Sequence, residues 1–347
     1  MAREALAVVY RPKTFDSLTE QSAIKIILEQ QIETKSFQHA YLFTGPSGCG
    51  KTTSARIFAN RINDGKGNPI EIDAASNSGV DNIRNIIEDA KRKSLDSEYK
   101  VFIVDECHSL SSGSWQALLK LLEEPPKFTI FILCTTNPEK IPATIMSRVQ
   151  RYQFNKISTD GIVKRLNEIC EKELGNTDAY IDDKAIAHIS KMASGGMRDS
   201  ITMLDKCLSL STNLTVENVV KAIGTVDYAE HFQLLECLAK KDSSCILVVE
   251  NVFNSGKDIK LFLKSFHNFV LDICKFKLFG SFETTRIPAL EEYHARAKQI
   301  DESDCFKALK LVTDLKHTIK HDSNALYSIE GVFALYCKED KNDRTEE

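Results

Sequence analysis

The sequence predicts an α/β fold: a parallel sheet with helices on both faces, followed by two helical regions. Three observations predict it. Four short apolar runs alternate with helical stretches across residues 1–156. A glycine-rich loop joins the first of those runs to a helix. Beyond residue 156, apolar residues recur at helical rather than strand spacing. The 347 residues are 42% hydrophobic and 27% charged, which leaves apolar material for more than one core.

The four runs lie at 41–44, 70–72, 101–104 and 130–134. Each is short, rich in β-branched or aromatic residues, and followed by polar or Gly/Pro signals, so each is expected as a strand. From about 157 to 224 the pattern changes. Ile162, Leu166 and Ile169 share one helix face, as do Ile186, Ile189 and Met192, and again Ile201, Leu204 and Leu208. After about 225, Phe262, Phe266, Phe269, Val270 and Ile273 form a strong stripe, and Ala308, Leu311, Leu315 and Ile319 form another. Taken singly, each stripe reads as a core face. Residues 338–347 are polar and charged and are expected to form a frayed tail.

The net charge of −4 excludes a uniformly basic coat but leaves room for a local basic face. Residues 1–12 lack the apolar core of a signal peptide. No run approaches the roughly 18 apolar residues of a membrane helix. The ten cysteines are scattered, and none forms a CxxC pair. They are expected as reduced thiols in a cytoplasmic protein rather than as a disulfide framework.

The sharpest signal is Gly45-Pro46-Ser47-Gly48-Cys49-Gly50-Lys51-Thr52, which matches GxxxxGK[ST] at every fixed position. Such glycines let successive backbone N–H groups turn inward around a phosphate. Lys51 is expected at the β- and γ-phosphates, and the Thr52 hydroxyl on Mg²⁺. Thr53 continues into the helical stretch, whose N-terminal dipole favours the anion.

The run at 101–104 ends in Asp105-Glu106. Read alone, two carboxylates after a strand are equally a solvated strand end. Downstream of a P-loop they are more specific: Asp105 is expected to hold Mg²⁺, and Glu106 to orient or activate the attacking water. Cys107 and His108 follow directly, but no partner ligands stand at metal-site spacing. Thr135-Thr136-Asn137 closes the run at 130–134. Thr136 is the candidate to sense the γ-phosphate, with a plain strand-to-turn transition as the alternative. Two arginines complete the set. Arg148 follows Ser147 after a turn begun by Pro142, and Arg198 lies in a glycine hinge that opens a helix. Phosphoryl transfer spreads negative charge over the γ-phosphate oxygens, which an arginine supplied in cis or in trans stabilises.

These residues occur in an order that resembles the clamp-loader ATPases. Tyr10-Arg11-Pro12-Lys13-Thr14-Phe15, the P-loop, the Val-Asp-Glu-Cys-His of 104–108, Ser147-Arg148 and Gly196-Met197-Arg198-Asp199 carry the likeness. Glu71-Ile72-Asp73-Ala74-Ala75-Ser76, the Ala-Leu-Leu-Lys-Leu-Leu-Glu-Glu-Pro-Pro of 117–126 and Thr135-Thr136-Asn137-Pro138 resemble the bacterial DNA polymerase III gamma/tau subunits in particular. Replication factor C small subunits are more distant relatives. The motif-level resemblance covers residues 1 to about 205.

The resemblance implies an AAA+ P-loop NTPase: a RecA-like ATPase domain at 1–156, a three-helix lid at 157–224 and an all-α collar for oligomerisation at 225–347. It implies ATP and Mg²⁺ as ligands, with Tyr10 and Arg11 near the adenine. Arg198 would read the chain's own nucleotide, and Arg148 would act as a finger in a neighbour's. It implies a five-subunit ring with delta- and delta-prime-type partners, a sliding clamp and primer–template DNA, and no membrane. Arg84 and Lys91, on a helical stretch basic toward its end, are candidate DNA contacts; a solvated helix face is the alternative.

Three departures stand out. The four-cysteine zinc module of the bacterial relatives is replaced by a cysteine-free stretch at 60–69, so no zinc is expected. Val149 stands where the relatives carry cysteine after Ser-Arg. The resemblance leads to the expectation of the short form of the subunit, without the polymerase- and helicase-binding extension of the long form. The alternative functions are an ATP-binding scaffold that hydrolyses little, or another AAA+ machine that remodels DNA.

Overall fold

The computed structural model describes residues 4–175, 177–224 and 228–338. The tail expected at 338–347 therefore lies outside the described residues from 339 onward, and so does the boundary expected near 225.

Five parallel strands form one sheet: β1 (Ala40–Thr44), β2 (Ile70–Asp73), β3 (Lys100–Asp105), β4 (Thr129–Thr135) and β5 (Gln150–Gln153), in the order β2-β3-β4-β1-β5. Every residue of β1 and β4 is buried. That is the signature of central strands covered on both faces, and it explains why they read as unbroken apolar runs. The fifth strand was not expected. Its Gln-Arg-Tyr-Gln sequence buries only Tyr152, and it pairs only with β1 at the sheet edge.

The helices are α1 (Leu6–Val9), α2 (Ser22–Thr34), α3 (Lys51–Ile62), α4 (Val80–Ala90), α5 (Ser112–Glu123), α6 (Ala143–Met146), α7 (Thr159–Leu174), α8 (Asp183–Met192), α9 (Met197–Leu210), α10 (Val216–Ile223), α11 (Tyr228–Ala239), α12 (Ser244–Asn254), α13 (Ile259–Phe279), α14 (Glu291–Gln299), α15 (Glu302–Thr318) and α16 (Ala325–Lys338). The chain divides into two compact units, residues 1–176 with 193–205, and residues 177–192 with 206–347.

In the first unit, alternate strand residues feed two cores. Tyr41, Phe43, Ile103, Ile130 and Ile132 pack with Leu28 of α2 and Phe58 of α3. Leu42, Phe102, Val104, Phe131 and Leu133 pack with Ile83 of α4 and Trp115 and Leu118 of α5. The period-2 alternation of strand side chains produces this division. The helices thus hold the sheet from both sides and leave its C-terminal strand ends open, where ligands of such sheets bind.

The second unit is helical, with Phe232, Leu235, Phe266, Phe269, Val312, Ile329 and Phe333 in one core. Phe262, Phe266, Phe269, Val270 and Ile273 are buried as a stripe. On α15 the buried residues are Ala308, Val312 and Leu315, while Leu311, expected as core, is half-buried. Positions i, i+4 and i+7 follow the 3.6-residue period more closely than i+3 at that point. Among the described residues, no helix is long and apolar enough to cross a membrane.

Candidate functional site

The loop 45–50 leaves the C-terminal end of β1 and turns into α3. Its glycines are required by geometry. A Cβ on Gly45 would lie 2.5 Å from the Phe154 carbonyl oxygen, closer than any side chain tolerates. Gly48 has φ +72° and lies against Gly196, where a Cβ would approach the Gly196 Cα at 3.0 Å. The Met197 amide donates to the Gly48 carbonyl over 3.0 Å. This pairing seats the start of α9, and with it Arg198, on the loop.

Lys51 is 6% exposed, and its Nζ donates to the carbonyls of Gly45 (2.9 Å) and Pro46 (2.8 Å). The ammonium is thus held inside the loop by partners that a phosphate can replace. Thr52 Oγ1 donates to Asp105 Oδ2 over 2.9 Å, joining the first turn of α3 to the end of β3. The Glu106 amide donates to Asp105 Oδ1 over 3.0 Å. Burial pushes the Cys49 thiol up and drives the Cys107 thiol far up, so both stay neutral and act as packing groups.

Thr136 follows β4 directly. Its hydroxyl donates to Glu106 Oε2 over 3.0 Å, so the candidate sensor and the candidate catalytic carboxylate touch each other. His108 completes this cluster, with Nδ1 at 3.0 Å from Thr135 Oγ1 and 3.2 Å from Glu106 Oε2.

A cavity of about 370 Å³ opens over the loop. Ser47 to Thr53, Asp105, Glu106 and Arg198 line it, and so do Tyr10 and Arg11. The structure therefore brings together the P-loop, both carboxylates, the hinge arginine and the N-terminal pair. It adds Arg165 of α7, which sequence reading missed. Arg165 Nη2 donates to the Tyr10 carbonyl over 3.1 Å, its Nη1 pairs with Glu168 at 2.8 Å, and the Tyr10 hydroxyl donates to Glu173 over 2.7 Å. One arginine among the charges of α7 carries no local signal, because its partner stands 155 positions away.

Arg148 does not line this cavity. Its Nη2 pairs with Glu123 at 2.8 Å, and its Nη1 donates to the Thr144 carbonyl over 2.7 Å. Arg84 and Lys91 line a separate hollow of about 540 Å³ between α4 and α5, and Lys120 adds a third cation there. Arg84 pairs with Asp81 (3.0 Å) and Lys91 with Glu88 (2.7 Å); all four side chains are exposed. Surface pairs of this kind contribute little to stability, so both cations can exchange partners.

Comparison with known proteins places these features. Residues 68–158 match a family model described as DNA polymerase III, delta subunit. The tau subunit of DNA polymerase III from Bacillus subtilis is 33% identical, over 97% of this chain and 64% of its own length. The gamma subunit from Buchnera aphidicola is 34% identical, over 72% of this chain and 74% of its own. The chain thus spans just under two thirds of the Bacillus protein. Among solved structures, Thermotoga maritima RuvB, a Holliday junction branch migration motor, covers 72% of this chain with a TM-score of 0.52 at 18% identity. That likeness is one of fold, and RuvB is an AAA+ protein. With the sheet order, the P-loop and the relatives in agreement, the chain belongs to the DNA polymerase III gamma/tau family and has the AAA+ fold.

Proposed function

We propose that the chain is an ATP-driven motor subunit of a clamp loader. With its partners it would open a ring-shaped sliding clamp and place it on primer–template DNA. The observation that carries this reading is the meeting of Lys51, Thr52 and Asp105 at one end of the cavity, with Thr52 and Asp105 hydrogen-bonded at 2.9 Å. Thr52 Oγ1 and Asp105 are hard oxygen donors, suited to Mg²⁺, which takes few protein oxygens and completes its shell with phosphate and water. Mg²⁺ held there would neutralise charge developing on the β- and γ-oxygens.

The chain's own residues have the remaining roles. The amides of residues 45–53 cradle the phosphates, and Lys51 exchanges its carbonyl partners for phosphate oxygens. Glu106 orients and polarises the attacking water. Thr136 and Arg198 face the γ-phosphate of the chain's own nucleotide, and Tyr10 and Arg11 flank the adenine. Arg148 serves a neighbouring subunit's ATP, which fits its place outside this cavity. In this reading residues 1–156 are the ATPase domain, 157–224 the lid and 225–347 the collar of a five-subunit ring with delta- and delta-prime-type partners. Arg84, Lys91 and Lys120 face DNA phosphates, and the protein works in the cytoplasm.

The test is steady-state ATP hydrolysis with and without primed DNA, the cognate clamp and the other loader subunits, comparing wild type with Arg148→Ala. A low basal rate, raised by DNA plus clamp and reduced roughly 10³-fold in the variant, is expected. Normal ATP binding with no stimulation would assign the chain to a scaffold or to another AAA+ machine.

A further inference from the structure

The family reading gives no role to His108. We infer that His108 is a positioning residue that fixes the Glu106 carboxylate for water activation. This inference rests on the ATPase reading above.

The geometry begins with the backbone. Glu106 has φ +46° and ψ +42°, a left-handed conformation that is strained for a non-glycine residue. A tight turn follows, in which the Ser109 amide donates to the Glu106 carbonyl over 2.9 Å. The turn brings the His108 ring back over the carboxylate of Glu106. The ring is largely buried, with 14% of the side chain exposed, whereas Glu106 is 36% exposed and lines the cavity.

The hydrogen-bond chemistry then selects one tautomer. His108 Nδ1 stands 3.2 Å from Glu106 Oε2 and 3.0 Å from Thr135 Oγ1. An ionised carboxylate can only accept. Were Nδ1 unprotonated, its lone pair would face that oxygen. Nδ1 therefore carries the proton and shares it between Oε2 and Thr135 Oγ1. Thr135 is fully buried, and its Oγ1 also accepts from the Asn137 amide at 3.0 Å, so the anchor cannot swing.

Two side-chain donors thus hold Glu106 Oε2: the Thr136 hydroxyl and His108 Nδ1–H. They differ in what ATP does to them. When the Thr136 hydroxyl turns to the γ-phosphate, its bond to Glu106 is given up. His108, anchored on Thr135, stays. It is the shorter of the two holds that remain when the water has to be aligned, at 3.2 Å against 3.4 Å for the Thr136 amide, and misplacement of a reacting group by about 1 Å can cost 10²-fold.

The experiment uses the full chain with its partner subunits and measures kcat for ATP, the Kd for ATP and thermal stability. His108→Ala is expected to lower kcat roughly 10- to 100-fold with Kd changed less than about twofold. His108→Asn, whose amide N–H reaches the Nδ1 position, is expected to recover most of the loss. A His108→Ala kcat within about twofold of wild type would overturn the proposal. So would an equal loss in a stably folded His108→Asn, or a loss of kcat that only follows lost ATP binding or lost stability. Wild type that binds ATP and never hydrolyses it would instead refute the ATPase reading itself.

Discussion

Both compact units bury ionisable groups, and for opposite reasons. In the first unit one such group, Lys51, sits at the strand ends beside a cavity whose other ionisable groups are half-buried (Asp105, Glu106) or exposed (Arg198). Lys51 is nearly buried yet held only by two loop carbonyls, and Thr52, Asp105, Glu106 and Arg198 stand around the same opening. In the second unit such groups sit inside a helical core. Asp272 is 2% exposed, with its Oδ2 accepting from Arg286 Nε at 3.0 Å and from the Arg286 amide at 3.2 Å. His188 is 5% exposed, with its ring 6.5 Å from that of Tyr228. The first arrangement leaves charge unspent for a ligand, and the second consumes or suppresses it. Burial of a charged residue type therefore says little about function until its partners are known.

The largest effect that would break this comparison is at Glu106. Glu106→Gln keeps the shape and removes the base, so turnover by the assembled protein should fall roughly 10²- to 10⁴-fold. ATP binding and thermal stability should hardly change, since the group serves chemistry rather than the core. Turnover retained in this variant, measured by phosphate release, would place the water-activating group elsewhere.

The second effect is on stability and belongs to His188. Burial holds its imidazole at about 4, below the ordinary 6.5, with a smaller contribution from Lys191. The unfolded chain therefore binds more protons than the folded one between those values, and stability rises with pH there. Its contribution is complete above pH 6.5 and is lost progressively as pH falls to about 4, a loss of about 3 kcal/mol. Denaturant unfolding from pH 7 to pH 4 should show a shallower decline in His188→Gln than in wild type. Parallel profiles would show that the ring is protonated without penalty.

The two units also differ in how legibly the sequence encodes them. Strands β1, β3 and β4 stand out because a parallel sheet buries them on both faces. β5 does not: like β2 at the other edge it buries one side chain, but β2 presents Ile-Glu-Ile whereas β5 presents Gln-Arg-Tyr-Gln, with Tyr152 its one apolar residue. In the second unit the stripe on α13 is plain, whereas on α15 the reading slips by one residue, from Val312 to Leu311. The P-loop and Asp105-Glu106 are legible because backbone geometry and metal chemistry constrain adjacent residues together. His108 and Arg165 are not. Their roles come from partners delivered by other elements, Thr135 from β4 and the Tyr10 carbonyl from the segment after α1.

Arg165 gives the smallest effect and divides the cavity itself. Its Nη2 supports the Tyr10 carbonyl, which the proposed function sets beside the adenine, and Glu168 fixes its Nη1. Arg165→Ala removes one charge-assisted hydrogen bond at the edge of the cavity, about 1–1.5 kcal/mol, which corresponds to ATP affinity weakened about 5- to 10-fold. Inorganic tripolyphosphate probes the other end alone. Its affinity should be unchanged in Arg165→Ala and should collapse in Lys51→Ala. An equal loss of ATP and tripolyphosphate binding in Arg165→Ala would mean that the guanidinium acts on the phosphates. The Tyr10 segment would then be a wall of the phosphate site rather than a seat for the base.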